Sequence, residues 1–302
     1  MCLDTIESIP KGVNVRLQER SDAGRRSPIS ELADIAATDP KPARLSRSMS
    51  RHVGDVAYPA EAVLLVLVAW ELWVRLTNQP PYIMVPFTDV LRACFEDWGM
   101  LLHHTWVTIV ESVVGFMLGT IVGIALALLI VSLRFAARGI LPLIILYHVI
   151  PAIALAPILS IWFGFGLLPK VLLVANLVFF PVLLNTITGL RSTNPLQIQL
   201  FRSAGASWSQ RFLHLRVPNA LPQIFVGLKI GTTLAVIGAV VAEYVSASSG
   251  LGYYVLIANG NLDTKHLMVG VIYLGVTGLL FYAAINLIER VATPWHVSRR
   301  ES

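Results

Sequence analysis

Charge is scarce in this sequence: Asp, Glu, Lys and Arg make up 14% of 302 residues, against roughly 25% in an average soluble domain. With 55% of residues hydrophobic, that deficit argues against a protein surrounded by water. Cysteine is nearly absent, with only Cys2 and Cys94, which excludes a disulfide-rich secreted scaffold, and no Cys/His spacing resembles a metal site. There is no G-x-x-x-x-G-K-[ST] phosphate loop; the superficially similar "GFGLLPK" has the wrong spacing. The pI near 9.4 comes without the clustered basic and aromatic residues of a nucleic-acid surface, so no nucleic-acid partner is expected. The first residues lack the apolar stretch of a signal peptide, so the first hydrophobic run is expected to stay as an anchor.

What the chain has is long apolar runs. A hydrocarbon core of about 30 Å needs about 20 mostly apolar residues per helix. Six runs qualify: Ala60 to Leu76, Trp106 to Val131, Leu141 to Phe163, Val171 to Leu190, Ile224 to Val245 and Leu267 to Val291. The expected fold class is an all-α polytopic membrane protein of about six transmembrane helices in the cell (cytoplasmic, inner) membrane, its surface against the lipid bilayer. Lys and Arg crowd the segment before the first run and the loops after the second and fourth (Arg134, Arg138; Arg191, Arg202, Arg211, Arg216), whereas the alternate loops hold only Arg92, Lys170 and Lys265. By the positive-inside rule both termini are cytoplasmic, and Cys2 and Cys94 then fall on opposite sides. Residues 1–57, of mixed charge with Pro, Ser and Ala, read as a flexible cytoplasmic arm. Residues 58–292 form the transmembrane domain, with a cytoplasmic loop at 191–223, and residues 293–302 a cytoplasmic tail.

That loop is longer than a helix connection needs. It carries Gly205 at a bend, a short amphipathic piece with Trp208, Phe212 and Leu213, then Leu215, Val217 and Pro218, with Pro222 opening the next helix. This is the pattern of a surface helix that docks on another protein, or of a self-packed interfacial loop. In the second run Gly115, Gly119 and Gly123 recur every four residues, and Gly227 and Gly231 repeat the spacing in the fifth. Such stripes let helix backbones approach closely, within one subunit or between two. Pro151 and Pro157 should bend or break the third run, and carbonyls freed there are tolerated only against protein or a watery cavity. His148, one turn earlier, reads as a satisfied core histidine or a substrate contact. Glu243, near the end of the fifth run and followed by "SASSGLG" with Gly250 and Gly252, is a candidate pathway or gate carboxylate. Glu61, Glu71 and Glu111 read as structural, and no buried charge pair reports a ligand charge.

The loop resembles the cytoplasmic loop of binding-protein-dependent ABC importer permeases, whose pattern is EAA, three residues, Gly, nine residues, Ile, any residue, Leu-Pro. Gly205, Leu215, Val217 and Pro218 fall on the later positions, while the opening triplet falls on Gln199 to Phe201 and lacks the acidic residue and both alanines. "IPAIALAPILSIWFGFG", "FFPVLLNTITGL" and "AEYVSASSGLGYYV" look like the permeases for nitrate, sulfonates, taurine and thiamine or riboflavin precursors; the resemblance covers roughly residues 60 to 292. It implies the type I importer permease fold, a homodimer or a pair of like permeases, two cytoplasmic ABC ATPase subunits and an extracytoplasmic solute-binding protein. The chain would then be a transport subunit without its own ATPase and with no cofactor of its own, ATP and Mg being bound by the partner. The docking positions implied are Gln199, Ala204, Gly205, Ala206, Ser207, Trp208, Phe212, Leu215 and Pro218. The imported solute leans toward a thiamine pyrimidine precursor or riboflavin, with sulfonate, taurine or nitrate as alternatives. An ion-coupled secondary transporter would need an inverted repeat, and an intramembrane hydrolase a buried nucleophile with a base in reach; Ser160 and Ser246 have no histidine at such a spacing.

Overall fold

The computed structural model describes residues 48–294, apart from the side chains of residues 48–60 and 134–136. Most of the expected arm and the end of the tail therefore lie outside the described residues. Among the described residues, those up to Ala62 belong to one unit and those from Val63 onward to another. Every regular element among the described residues is a helix. In chain order these are α1 (Ser48–Thr77), α2 (Phe87–Glu96), α3 (Trp98–Ser132), α4 (Arg134–His148), α5 (Ala152–Phe163), α6 (Leu167–Arg191), α7 (Pro195–Ser203), α8 (Trp208–Arg211), α9 (Val217–Ser246), α10 (Leu251–Gly260) and α11 (Thr264–Ala292).

Four stretches are long and apolar enough to cross a bilayer: α3, α6, the continuous run Trp208–Ser246 that ends in α9, and α11. A fifth candidate is the pair formed by α4 and α5, bent by 95°. The remaining run of the sequence lies in α1, which carries Glu61, Glu71 and Arg75 among its apolar residues. There Glu71 accepts from Arg75 Nε at 2.6 Å and from Thr88 Oγ1 at 2.9 Å, so the two charges neutralise each other. Val63, Leu64, Leu65, Val66, Leu72 and Trp73 of α1 are exposed on the chain, a distribution suited to lipid or a partner helix.

The break between α4 and α5 occurs at Pro151, which is extended (φ −60°, ψ 126°) and opens α5. Pro157 was expected to bend the same run, but it lies within α5 with no second break. Only one of the two prolines therefore redirects the chain. Pro222 likewise lies inside α9 rather than opening it; the helix begins at Val217, and Pro218 occupies the first-turn position where a missing N–H costs nothing.

The core is built around α6, which packs along α3 on one side and α9 on the other. Phe116, Val174, Val178, Val182, Phe225, Ala235 and Ala239 are buried together at the crossing. Glycines allow this closeness. A Cβ on Gly119 would stand 2.7 Å from the Ala175 carbonyl oxygen, and one on Gly123 2.7 Å from that of Phe179. Gly115 faces Val171 and Val174 in the same way, while Gly227 meets Pro181 and Asn185, and Gly231 meets Phe116 and Val178. All five glycines thus lie at contacts within one chain.

At one end, α2 and α10 pack with α11 around Val90, Cys94, Leu101, Tyr254 and Val269. His266 of α11 bridges two carboxylates there, Nδ1 to Asp263 at 2.5 Å and Nε2 to Asp97 at 3.2 Å. Burial pushes the Asp263 carboxyl up, but the hydrogen bonds from the His266 amide and ring outweigh it and hold the group below its ordinary value.

Because the atoms facing Gly119 are backbone of α6 and cannot move aside singly, Gly119→Val should lower stability by about 1–3 kcal/mol, the usual cost of overpacking. A Cβ at Gly139 meets nothing within 4 Å, so Gly139→Ala should be neutral or slightly stabilising. Thermal unfolding of the two purified variants checks this contrast; equal midpoints would contradict it.

Candidate coupling loop and buried polar network

Two polar regions stand at opposite ends of α6 and α9. The first is the loop joining the C-terminus of α6 to the N-terminus of α9. Asn194 caps α7, its side chain accepting from the Leu196 amide at 2.9 Å, with Pro195 in the first turn. The chain then reverses at Gly205, whose φ of +74° is the left-handed conformation that glycine adopts without strain. Ser207 and Gln210 form a reciprocal capping box that starts α8, satisfying two otherwise orphaned amides. A π-helical turn, Phe212–Arg216, follows and runs into α9.

Trp208 and Phe212 are four residues apart and stack at 5.3 Å with rings nearly parallel. Trp208 remains 61% exposed, whereas Leu215 is buried beneath the turn at 7%. A small pocket of about 150 Å³ beside them is lined by Ile198, Arg202, Trp208, Arg211, Phe212 and Arg216. Gln199 and Ala204 lie exposed at the end of α7, Ala206 is half-buried, and Pro218 sits in the first turn of α9. A Cβ at Gly205 meets nothing within 4 Å, so the need for glycine there comes from φ and not from crowding inside the chain.

The second region lies where α9 ends and α6 begins. The chain turns at Ala247–Gly250, and Gly250, with φ of +119°, opens α10. The first amides of a helix have no partner of their own, and here all four are satisfied by side chains. Gly250 N–H donates to His104 Nδ1 at 3.0 Å, and Leu251 N–H to Thr108 Oγ1 at 2.8 Å. Gly252 and Tyr253 N–H both donate to Glu243 Oε2, the latter at 3.4 Å. Thr108 in turn donates its hydroxyl to Glu243 Oε1 at 2.7 Å. His104 must therefore hold its ring proton on Nε2. The positive end of the α10 dipole meets a carboxylate, an arrangement favourable in sign.

One residue turn further along α3, Glu111 Oε1 accepts from Lys170 Nζ at 2.6 Å, and both side chains are more than nine-tenths buried. Lys170, expected in a loop, lies instead in the first turn of α6, and Glu111, expected to be structural, is its partner. The sequence hid the pair because its members are 59 positions apart and each alone reads as a charge near a span end. Glu61 and Glu71 lie on α1, where Glu71 is bonded to Arg75 and Thr88. His148 ends α4 with its ring stacked on Phe180 at 3.8 Å, beside Pro151 and separate from the Glu243 network. Pro151 and Pro157 are exposed on the surface of the chain.

This arrangement of helices has known counterparts. The family described as binding-protein-dependent transport system inner membrane component matches residues 115–299. The chain belongs to that family of ABC importer permeases. It is 35% identical over 237 residues to the formylaminopyrimidine transport permease protein ThiX of Halalkalibacterium halodurans, covering 78% of this chain and 95% of that one. Identity is 33% to the riboflavin transport system permease protein RibX of Chloroflexus aurantiacus, over 83% of this chain and 95% of the other. It is 30% to the taurine transport system permease protein TauC of Escherichia coli, over 83% and 92%. Among solved structures, the inward-facing MetNI methionine ABC transporter superposes with a TM-score of 0.58 at 19% identity, covering 66% of this chain and 98% of that one. The likeness shows a shared fold. This permease is accordingly a multi-pass inner-membrane protein and a subunit of a transporter.

Thr108 is the joint of the permease's polar network, both donor to Glu243 and acceptor for Leu251. Thr108→Val keeps the shape but leaves an amide and a carboxylate oxygen without partners, which should cost about 1–3 kcal/mol. Hydrogen exchange should accelerate at the amides of Gly250–Tyr253 while those of the α6 core stay protected; unchanged exchange at those amides would contradict the capping role.

Proposed function

We propose that this permease forms the membrane path of an ATP-driven importer, working as a dimer with two cytoplasmic ATPase subunits and receiving its solute from an extracytoplasmic binding protein. The observation that carries this reading is the loop between α6 and α9: a capped, bent segment rooted by Leu215 that keeps Trp208 exposed against a half-buried Phe212. A tryptophan stacked on one face and exposed on the other suits a groove on a second protein, since aromatic anchors dominate interface energetics. Leu215 roots the loop in the bundle, so displacement of Trp208 would be delivered to the start of α9. ATP binding and hydrolysis are assigned to the partner because the sequence carries no phosphate-loop motif, and the nucleotide then shifts the permease through contacts that differ between its two states.

The solute we favour is a pyrimidine-containing compound, a thiamine pyrimidine precursor or riboflavin. The support is that the relatives named for formylaminopyrimidine and riboflavin match at higher identity than the one named for taurine. Sulfonate, taurine and nitrate are the alternatives. Uptake by vesicles holding the whole transporter, supplied with the binding protein and either a labelled aminopyrimidine or taurine, separates them.

The positive-inside distribution places the loop in the cytoplasm. Cysteines introduced at Asn78 and Ser248 should then react with an impermeant thiol reagent added outside, and one at Ser207 should not; the opposite pattern would reverse the orientation.

Gly205→Val forces a β-branched residue into a left-handed conformation, and Trp208→Ala removes an exposed anchor whose truncation commonly costs about 2 kcal/mol or more at an interface. Both variants should insert normally, recover less ATPase on purification and show ATP hydrolysis that no longer responds to loaded binding protein. Full ATPase recovery with normal uptake in both would reduce the loop to a connection.

A further inference from the structure

Glu111, Lys170 and Glu243 come from three different helices, α3, α6 and α9, and are buried together. Glu111 and Glu243 are each about 1% exposed and Lys170 6%. With every group in its ordinary ionised state the trio carries two negative charges and one positive. An uncompensated charge in such surroundings costs several kcal/mol even after relaxation, and no further cation among the described residues reaches the cluster: the neighbouring titratable groups are His104, which accepts a hydrogen bond, and the phenols of Tyr253 and Tyr254 on α10.

The hydrogen bonds locate the missing charge. Glu111 gives one oxygen to Lys170, and its other, Oε2, is buried with no donor at all. Thr108, which donates to Glu243, and Glu111, which accepts from Lys170, stand three residues apart on one face of α3, so the two carboxyl groups face the same region of the bundle. Two carboxylates facing each other have four acceptors and no donor; a single proton between them supplies one. Glu243 already accepts from two α10 amides and Thr108, which favours keeping it ionised.

We propose that Glu111 is a proton-holding site: its Oε2 carries a proton donated in a hydrogen bond to Glu243, so that Lys170, Glu111 and Glu243 form one electrically neutral relay across three helices. The relay ties the base of α6 to the cap of α10, and the proton is what lets the α10 cap keep its carboxylate without leaving net charge in the bundle. Because Glu111 neither caps α10 nor lines the loop, it acts as a positioning residue through Glu243.

The proposal counts protons, so infrared spectroscopy of the full-length protein in lipid nanodiscs reads it directly. At neutral pH, where exposed carboxyls are ionised, the wild type should show the carbonyl-stretch band of a buried protonated carboxylic acid. Neutrality needs no proton in Glu111→Gln or in Glu243→Gln, so the band should vanish in both, and either variant suffices if the other fails to fold. Lys170→Met removes the cation, so neutrality then needs two protons and the band should grow to roughly twice its wild-type intensity. Absence of the band in the wild type, its survival in the glutamine variants, or an unchanged intensity in Lys170→Met would each overturn the assignment.

Discussion

A bilayer offers no water to a backbone amide, so each helix that starts inside the bundle needs its first N–H groups satisfied by the protein itself. This permease meets that demand at α10 with side chains drawn from two other helices: His104 and Thr108 of α3 and Glu243 of α9. Much of the architecture at that end follows from it. Glu243 must be buried to reach the amides, and its donors are those amides and Thr108, while the buried Lys170 of α6 is the counter-charge of Glu111. Gly250 must be glycine because φ is positive there, and at both Gly250 and Gly252 a Cβ would run into the Glu243 carboxylate.

The opposite end of the same helices obeys a different rule. Water is available there, and the α7–α8 segment is capped by its own Asn194, Ser207 and Gln210, so its order does not depend on the bundle. Its apolar surface is left over. Trp208 and Leu213 are more than half exposed, while the one residue that roots the segment, Leu215, is buried. A self-sufficient loop with a free aromatic face and a fixed root is suited to receive a push and hand it to α9.

The helices themselves were largely legible in the sequence, because a length requirement and a near-absence of charge leave few other readings of runs such as Trp106 to Val131. The glycine stripes showed that backbones meet, yet not which ones: only the contact of Gly119 with Ala175 and of Gly123 with Phe179 assigns them to the α3–α6 interface. Pro151 stands at the break as the N-cap of α5, whereas Pro157, chemically identical, lies in the interior of α5 without breaking it. The charge network was illegible for a more general reason. Glu111 is 59 positions from Lys170 and Thr108 is 135 from Glu243, and periodicity within a helix carries no information about partners that tertiary packing selects. A basic residue ahead of an apolar run reads as topology until its partner is seen.

Between the two ends, α6 spans about 37 Å at 1.5 Å per residue, packed closely on both flanks where Gly119 and Gly123 of α3 and Gly227 and Gly231 of α9 meet it. Displacement at the loop therefore reaches the network as movement of whole helices and not as local flexing, because close-packed interfaces shift between discrete arrangements instead of deforming smoothly. The α4–α5 pair differs. After its 95° break, α5 packs through Ala152, Leu155, Ala156 and Leu159 against Leu173, Val241 and Ala242, with Ile158, Ile161, Trp162 and Phe163 facing outward. That contact is made with the end of α6 that holds Lys170 and the end of α9 that holds Glu243. The place where α6 and α9 meet thus borders both the α10 cap, through Glu243, and α5, through Leu173 and Ala242, so both short helices are anchored to that one contact.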